Sequence, residues 1–168
     1  KNSFLIAGLA SLAALLAVLA WSYAAPDSTL KNRWLLSCIF MPFFIPQISF
    51  LLGMQISLSR VGLDGTWLAL MWVHMIFILP YTWLIVIPAR RALDHRLDHV
   101  AATLGASGWK RFITLHMPLM AYPLGTALFI GIAVSMALYL PTVFVGAGRI
   151  NTITVEAVSL ASGGSRGP

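Results

Sequence analysis

Four histidines, one cysteine and five carboxylates are the residues of this chain best suited to acid–base, nucleophilic or metal chemistry. Their spacing favours none of the three. His95 and His99 stand four apart, the interval of a metal pair on one helix face, but no Glu stands where a zincin needs it and no third ligand is evident. Cys38 lies alone inside an apolar run, so it can neither close an internal disulfide nor build a zinc site. Gly105-Ala-Ser-Gly108-Trp-Lys110 has the flavour of a phosphate loop, but the spacing is wrong and Arg111 stands where Ser or Thr would meet the magnesium. No metal, cofactor or nucleotide site is expected, and no catalytic residue. His74 is the one titratable group deep in an apolar run. An embedded enzyme would need more than this residue and scattered Ser and Thr.

The elements that carry these residues are long and apolar. The chain has 168 residues, of which 59% are hydrophobic and 10% charged. A water-soluble domain carries about 25% charged residues, so lipid is the solvent that fits. The formal charge of +6 does not signal nucleic acid, because the basic residues sit in short segments between apolar runs. No Asp, Glu, Lys or Arg occurs in 4–25, 34–59, 66–89 or 112–148. A spanning helix needs about 20 apolar residues, and these runs are apolar on every side rather than alternating like barrel strands. Four spans are predicted, at 4–25, 34–58, 66–88 and 118–145. The first is too long for a signal-peptide core. Met41-Pro42, Ile45-Pro46 and Leu79-Pro80 each remove a backbone bond and are expected to kink their helices.

Orientation follows from the basic residues. Segments 26–33 and 89–117 hold seven of the eleven (Lys31, Arg33, Arg90, Arg91, Arg96, Lys110 and Arg111), and Lys1, Arg60, Arg149 and Arg166 lie on the other side. The positive-inside rule puts the richer side in the cytoplasm. The N-terminus, the 59–65 turn and the 146–168 loop then face outward, in a multi-pass protein of the cell inner membrane. No span carries a buried carboxylate of the kind that drives proton- or sodium-coupled carriers, so the energy for uphill transport would come from a partner.

The 89–117 segment is longer than a minimal turn. Leu93, Leu97, Val100, Ala101 and Leu104 recur at helical spacing. Gly105 suits a helix C-cap, and Ser107 can cap a second short helix carrying Trp109, Lys110 and Phe112. The result is a helix–glycine–helix elbow at the inner face of the membrane, which could also simply rest on lipid headgroups.

The stretch from His99 to Pro118 resembles the EAA loop of ABC-importer permeases. Ala101 matches the motif's second alanine. Leu104, Gly105 and Ala106 match its central block, and Phe112, Leu115 and Pro118 fall at the right offsets. His99 replaces the motif glutamate, Val100 the first alanine and Met117 the final leucine, so the acidic role is lost or moved to Asp98. The resemblance implies an all-α integral membrane fold, a helical bundle with four spans of a five-span core and the last span following Pro168. It implies that Asp98, His99, Ala101, Leu104, Gly105, Ala106, Trp109, Lys110 and Phe112 couple the permease to a separate ATP-binding subunit. Further implied partners are an extracellular or periplasmic solute-binding protein and a second permease half or homodimer. The tail is similar to the thiamine and ferric-iron branch, some of whose members carry two permease units in one chain. Gln47, Ser49, His74 and Ser135 are the polar residues nearest the membrane interior, where a solute path would run. The competing readings are a fragment of a secondary active transporter and a membrane-embedded enzyme.

Overall fold

The computed structural model of the chain describes residues 2–25, 32–63, 65–146 and 153–162. Lys1, Lys31, Arg149 and Arg166, and most of the 26–33 segment, lie outside them. Every regular element among the described residues is a helix. These are α1 (Asn2–Ala24), α2 (Arg33–Phe44), α3 (Gln47–Arg60), α4 (Trp67–Arg91), α5 (His95–Thr103), α6 (Gly108–Leu119), α7 (Ala121–Ala137), α8 (Tyr139–Gly146) and α9 (Ile153–Ser162).

Two helices, Ser3–Ala24 within α1 and Trp67–Arg91, are each long and apolar enough to cross a membrane unbroken. At about 1.5 Å per residue either exceeds the roughly 30 Å hydrocarbon core. They pack side by side with α7. The middle of this three-helix core is built from small residues. Ala10 and Ala14 are fully buried against Ile78. A Cβ added to Gly131 would sit 2.9 Å from Ser11 Oγ and 3.0 Å from Ile78 Cγ2, so the backbones approach as closely as a glycine permits. Small residues serve this purpose in membranes, where no hydrophobic drive separates helix from lipid tail and packing contacts decide association. Ile6, Leu70 and Val145 cluster at one end of the bundle. Leu19, Ile87 and Met120 cluster at the other. Helices α1 and α4 therefore run parallel and α7 runs against them.

Proline placement explains the breaks. Helices α2 and α3 meet at 108°, where Ile45 is extended (φ −92°, ψ 137°) ahead of Pro46. The pyrrolidine ring disfavours helical angles at the preceding residue. This bend gives the apolar 33–60 stretch the shape of a broken span or re-entrant hairpin rather than a straight rod. Pro80 and Pro88 behave differently, because α4 continues through both. Each costs one backbone bond inside a well-buried helix, which membrane helices tolerate. Helices α6 and α7 meet at 71°, at Met120, where Pro123 cannot bond the Leu119 carbonyl. Pro118 lies in the last turn of α6, just ahead of this bend. A further break at Leu138 (φ −75°, ψ 85°) precedes Pro141 by three residues, and Pro141 leaves the Ala137 carbonyl without its helical donor. The tail beyond Gly146 contains α9, which touches α7 and α8.

Candidate functional site

The elbow is built by local capping chemistry. Asp94 caps α5, its side chain accepting from Arg96 N–H at 2.9 Å. At the other end Gly105 takes φ +78°. The Ala106 N–H reaches back to the Ala101 carbonyl and the Gly105 N–H to the Ala102 carbonyl, both at 3.0 Å. This is the Schellman pair, with Ala106 and Ala101 as its apolar contact. Ser107 then caps α6, its hydroxyl accepting from Lys110 N–H at 3.3 Å. The chain reverses within four residues.

The apolar face expected of this segment is mostly uncovered. Leu93 is half-buried against the bundle, while Leu97, Val100 and Ile113 are exposed. Leu104 is 82% and Trp109 71% exposed. The Trp109 and Phe112 rings stack with centroids 5.6 Å apart, as their spacing of three on one helix predicts. His99 and Lys110 also point outward, and Ala101 and Ala106 are partly covered.

Asp98 turns the other way. Its Oδ2 accepts from Arg111 Nη1 at 2.9 Å, and its Oδ1 lies 3.3 Å from His116 Nε2. Arg111 also donates to the Asp98 backbone carbonyl at 3.3 Å. The carboxylate near the motif's acidic position is therefore spent inside the elbow, tying α5 to α6. Arg111 and His116 are five apart, which in an α-helix would point them well away from each other. Residues Phe112–His116 form a π-helical stretch, whose wider turn lets both reach one carboxylate. Tyr23, at the end of α1, joins this cluster to the bundle. Its ring meets Phe112 edge-on at 5.0 Å and stacks on His116 at 5.4 Å, and the Arg90 guanidinium sits 4.7 Å above it. Arg90 belongs to the last turn of α4. A cavity of about 290 Å³ opens between these groups. The ends of α1 and α4 and both arms of the elbow are thus mechanically joined.

In the bundle interior His74 and Ser135 come together, with His74 Nδ1 2.7 Å from Ser135 Oγ. Thr142 Oγ1 completes the group, 3.3 Å from His74 Nε2. Gln47 and Ser49 lie elsewhere, at the start of α3, with Ser49 exposed. Sequence reasoning had no route to Tyr23, Arg90, Arg111 and His116 as one cluster, or to Thr142. The one available signal was Asp98 beside the substituted motif position. Among the described residues no group of three His, Cys, Asp or Glu side chains could hold a metal ion.

No protein-family model matches the chain. It is 37% identical over 166 residues to a protein of Escherichia coli named "Inner membrane ABC transporter permease protein YnjC", a match covering 99% of this chain and 31% of that protein. It is 28% identical over 136 residues to the "Putative 2-aminoethylphosphonate transport system permease protein PhnV" of Salmonella paratyphi A, covering 80% of this chain and 51% of that protein. The Salmonella typhimurium protein of the same name is 27% identical over the same length. The chain thus spans about a third of the first relative's length and about half of the others'. Across nearly its whole length this all-helical apolar chain is thus similar to a segment of a permease protein of the ABC-transporter class. It is a multi-pass protein of the inner membrane.

Proposed function

We propose that the chain forms part of the solute pathway of an ATP-driven importer and that the 89–117 elbow is its coupling element, docking in a groove of a separate ATP-binding subunit. The observation that carries this reading is the exposed tip with Leu104 and Trp109, on two arms that the Asp98–Arg111 pair ties together. Uncovered aromatic and aliphatic side chains on a preorganised support are what a partner's pocket selects. Leu104, Trp109, His99 and Lys110 make the contact. Ala101, Gly105 and Ala106 set the reversal, Phe112 backs the tryptophan, and Asp98 locks the arms.

The elbow end of the bundle lies in the cytoplasm, with the N-terminus of α1 and the Arg60 turn outside. This follows from the distribution of positive charge. The four spans at 4–25, 34–58, 66–88 and 118–145 belong to one permease domain. A solute-binding protein on the outer side and a second permease half or a second copy complete the assembly. The solute passes the α3 face that carries Gln47 and Ser49, with His74 and Ser135 in the wall behind it.

Co-purification tests the reading. The tagged full-length chain, extracted in mild detergent from cells producing the neighbouring gene products, should bring down a nucleotide-binding ATPase, and Trp109→Ala should release it. Capture of no ATPase by the intact parent would sink the proposal.

A further inference from the structure

The break at Leu138 divides the fourth apolar segment into α7 and α8, and one side chain from another helix spans it. His74, in the middle of α4, is 2% exposed. Its Nδ1 meets Ser135, on the last turn of α7, at 2.7 Å. Its Nε2 meets Thr142, on α8, at 3.3 Å. The two partners lie on opposite sides of the break and are themselves buried, at 4% and 1% exposure.

Hydrogen counting fixes the direction of each bond. Thr142 Oγ1 donates its only proton to the Leu138 carbonyl at 3.0 Å, a shorter contact than the one to His74. Back-bonding of a helical Thr to the carbonyl four residues earlier is a common arrangement. Toward His74, Thr142 can then only accept, so Nε2 carries the hydrogen. In the neutral ring Nδ1 is left as acceptor, and Ser135 donates to it. The Leu138 N–H bonds back to the Ser135 carbonyl at 3.3 Å. The far end of α8 has a second tie, Gly65 N–H to the Val145 carbonyl at 3.2 Å.

We propose that His74 is a positioning residue, held as the Nε2–H tautomer, that pins α8 at a fixed angle to α7 across the proline-generated break. Resting on the permease reading, its role in transport is to hold the wall segment α8 rigid while the rest of the pathway moves. An imidazole with both nitrogens engaged is not free to bind solute in this conformation. A helix half whose own backbone continuity is lost at Leu138 needs a support of this kind, because Pro141 has removed the bond that would otherwise carry rigidity through.

The test uses the full-length chain in lipid nanodiscs, in a Cys38→Ser background, with spin labels on cysteines placed at Trp21 and Val143. Both positions are exposed. The parent should show one narrow distance distribution. Thr142→Val, which keeps the shape and removes the acceptor, should broaden it, as should His74→Leu, and the double variant should be no broader than either. Nitrogen-15 histidine spectra, with the His74 signal identified by its loss in His74→Gln, should show the proton on Nε2. A proton on Nδ1, or an unchanged distribution in Thr142→Val, overturns the pin. Neither readout requires transport or an ATPase. A pin that behaves as stated in a chain that captures no ATPase would therefore leave this inference standing and the permease reading fallen.

Discussion

Arg111 Nη1 lies 2.9 Å from Asp98 Oδ2, an ion pair that crosses the Gly105 reversal and joins the two arms of the elbow. Both side chains are partly exposed, at 25% and 32%, so water screens the attraction and its worth is geometric more than energetic. Coupling of about 0.5–1 kcal/mol is expected in a cycle of Asp98→Asn, Arg111→Gln and the double variant. Capture of the ATP-binding subunit by each should be measured alongside thermal unfolding. Strictly additive losses would mean that the pair does not hold the elbow.

Gly105 is replaceable only by residues that accept a left-handed backbone. A Cβ there meets nothing within 4 Å, so crowding is not the obstacle and the φ of +78° is. Gly105→Val should cost about 1–3 kcal/mol of local strain and misplace α6, whereas Gly105→Asn should be nearly silent. Trp109→Ala should leave the fold alone, the side chain being 71% exposed, yet weaken docking by about 2 kcal/mol, roughly thirtyfold in affinity. All three should insert normally by protease protection. Equal capture of the ATPase by Gly105→Val, Trp109→Ala and parent would return the elbow to a helix resting on lipid headgroups.

Gly131 reports on the core. Its missing Cβ is the reason α7 can lie against Ser11 of α1 and Ile78 of α4. Gly131→Ala must displace both neighbours by a few tenths of an ångström, and Gly131→Leu far more. Losses of about 1–3 kcal/mol are expected for overpacking of this kind, with leucine the worse. Thermal unfolding in detergent gives the order. A leucine variant as stable as the parent would show that the three helices do not meet here.

Topology can be read in intact cells. Arg60 and Arg96 are both exposed and lie at opposite ends of the bundle. In a Cys38→Ser background, a cysteine at 60 should react with an impermeant thiol reagent and one at 96 should not. The reverse pattern would place the elbow outside and end its coupling assignment.

What the sequence determined by itself was local. Uninterrupted apolar runs make helices because lipid offers the backbone no other partner. The 95–107 stretch writes its own stop and restart, since Asp94, Gly105 and Ser107 act on atoms within a few residues of themselves. Even the stacked Trp109 and Phe112 follow from spacing alone. Tertiary structure decided what depends on distant partners. Pro42, Pro46 and Pro80 looked alike in sequence, yet 108° opens at Pro46, where Ile45 leaves the helix, while α2 continues through Pro42 and α4 through Pro80. Asp98 could have faced a partner protein. It faces Arg111, thirteen residues on, because the π turn swings Arg111 and His116 onto one side. His74 finds Ser135 and Thr142 at separations of 61 and 68 residues. No periodicity encodes that meeting, which depends on α7 packing closely against α4, as the missing Cβ of Gly131 beside Ile78 allows.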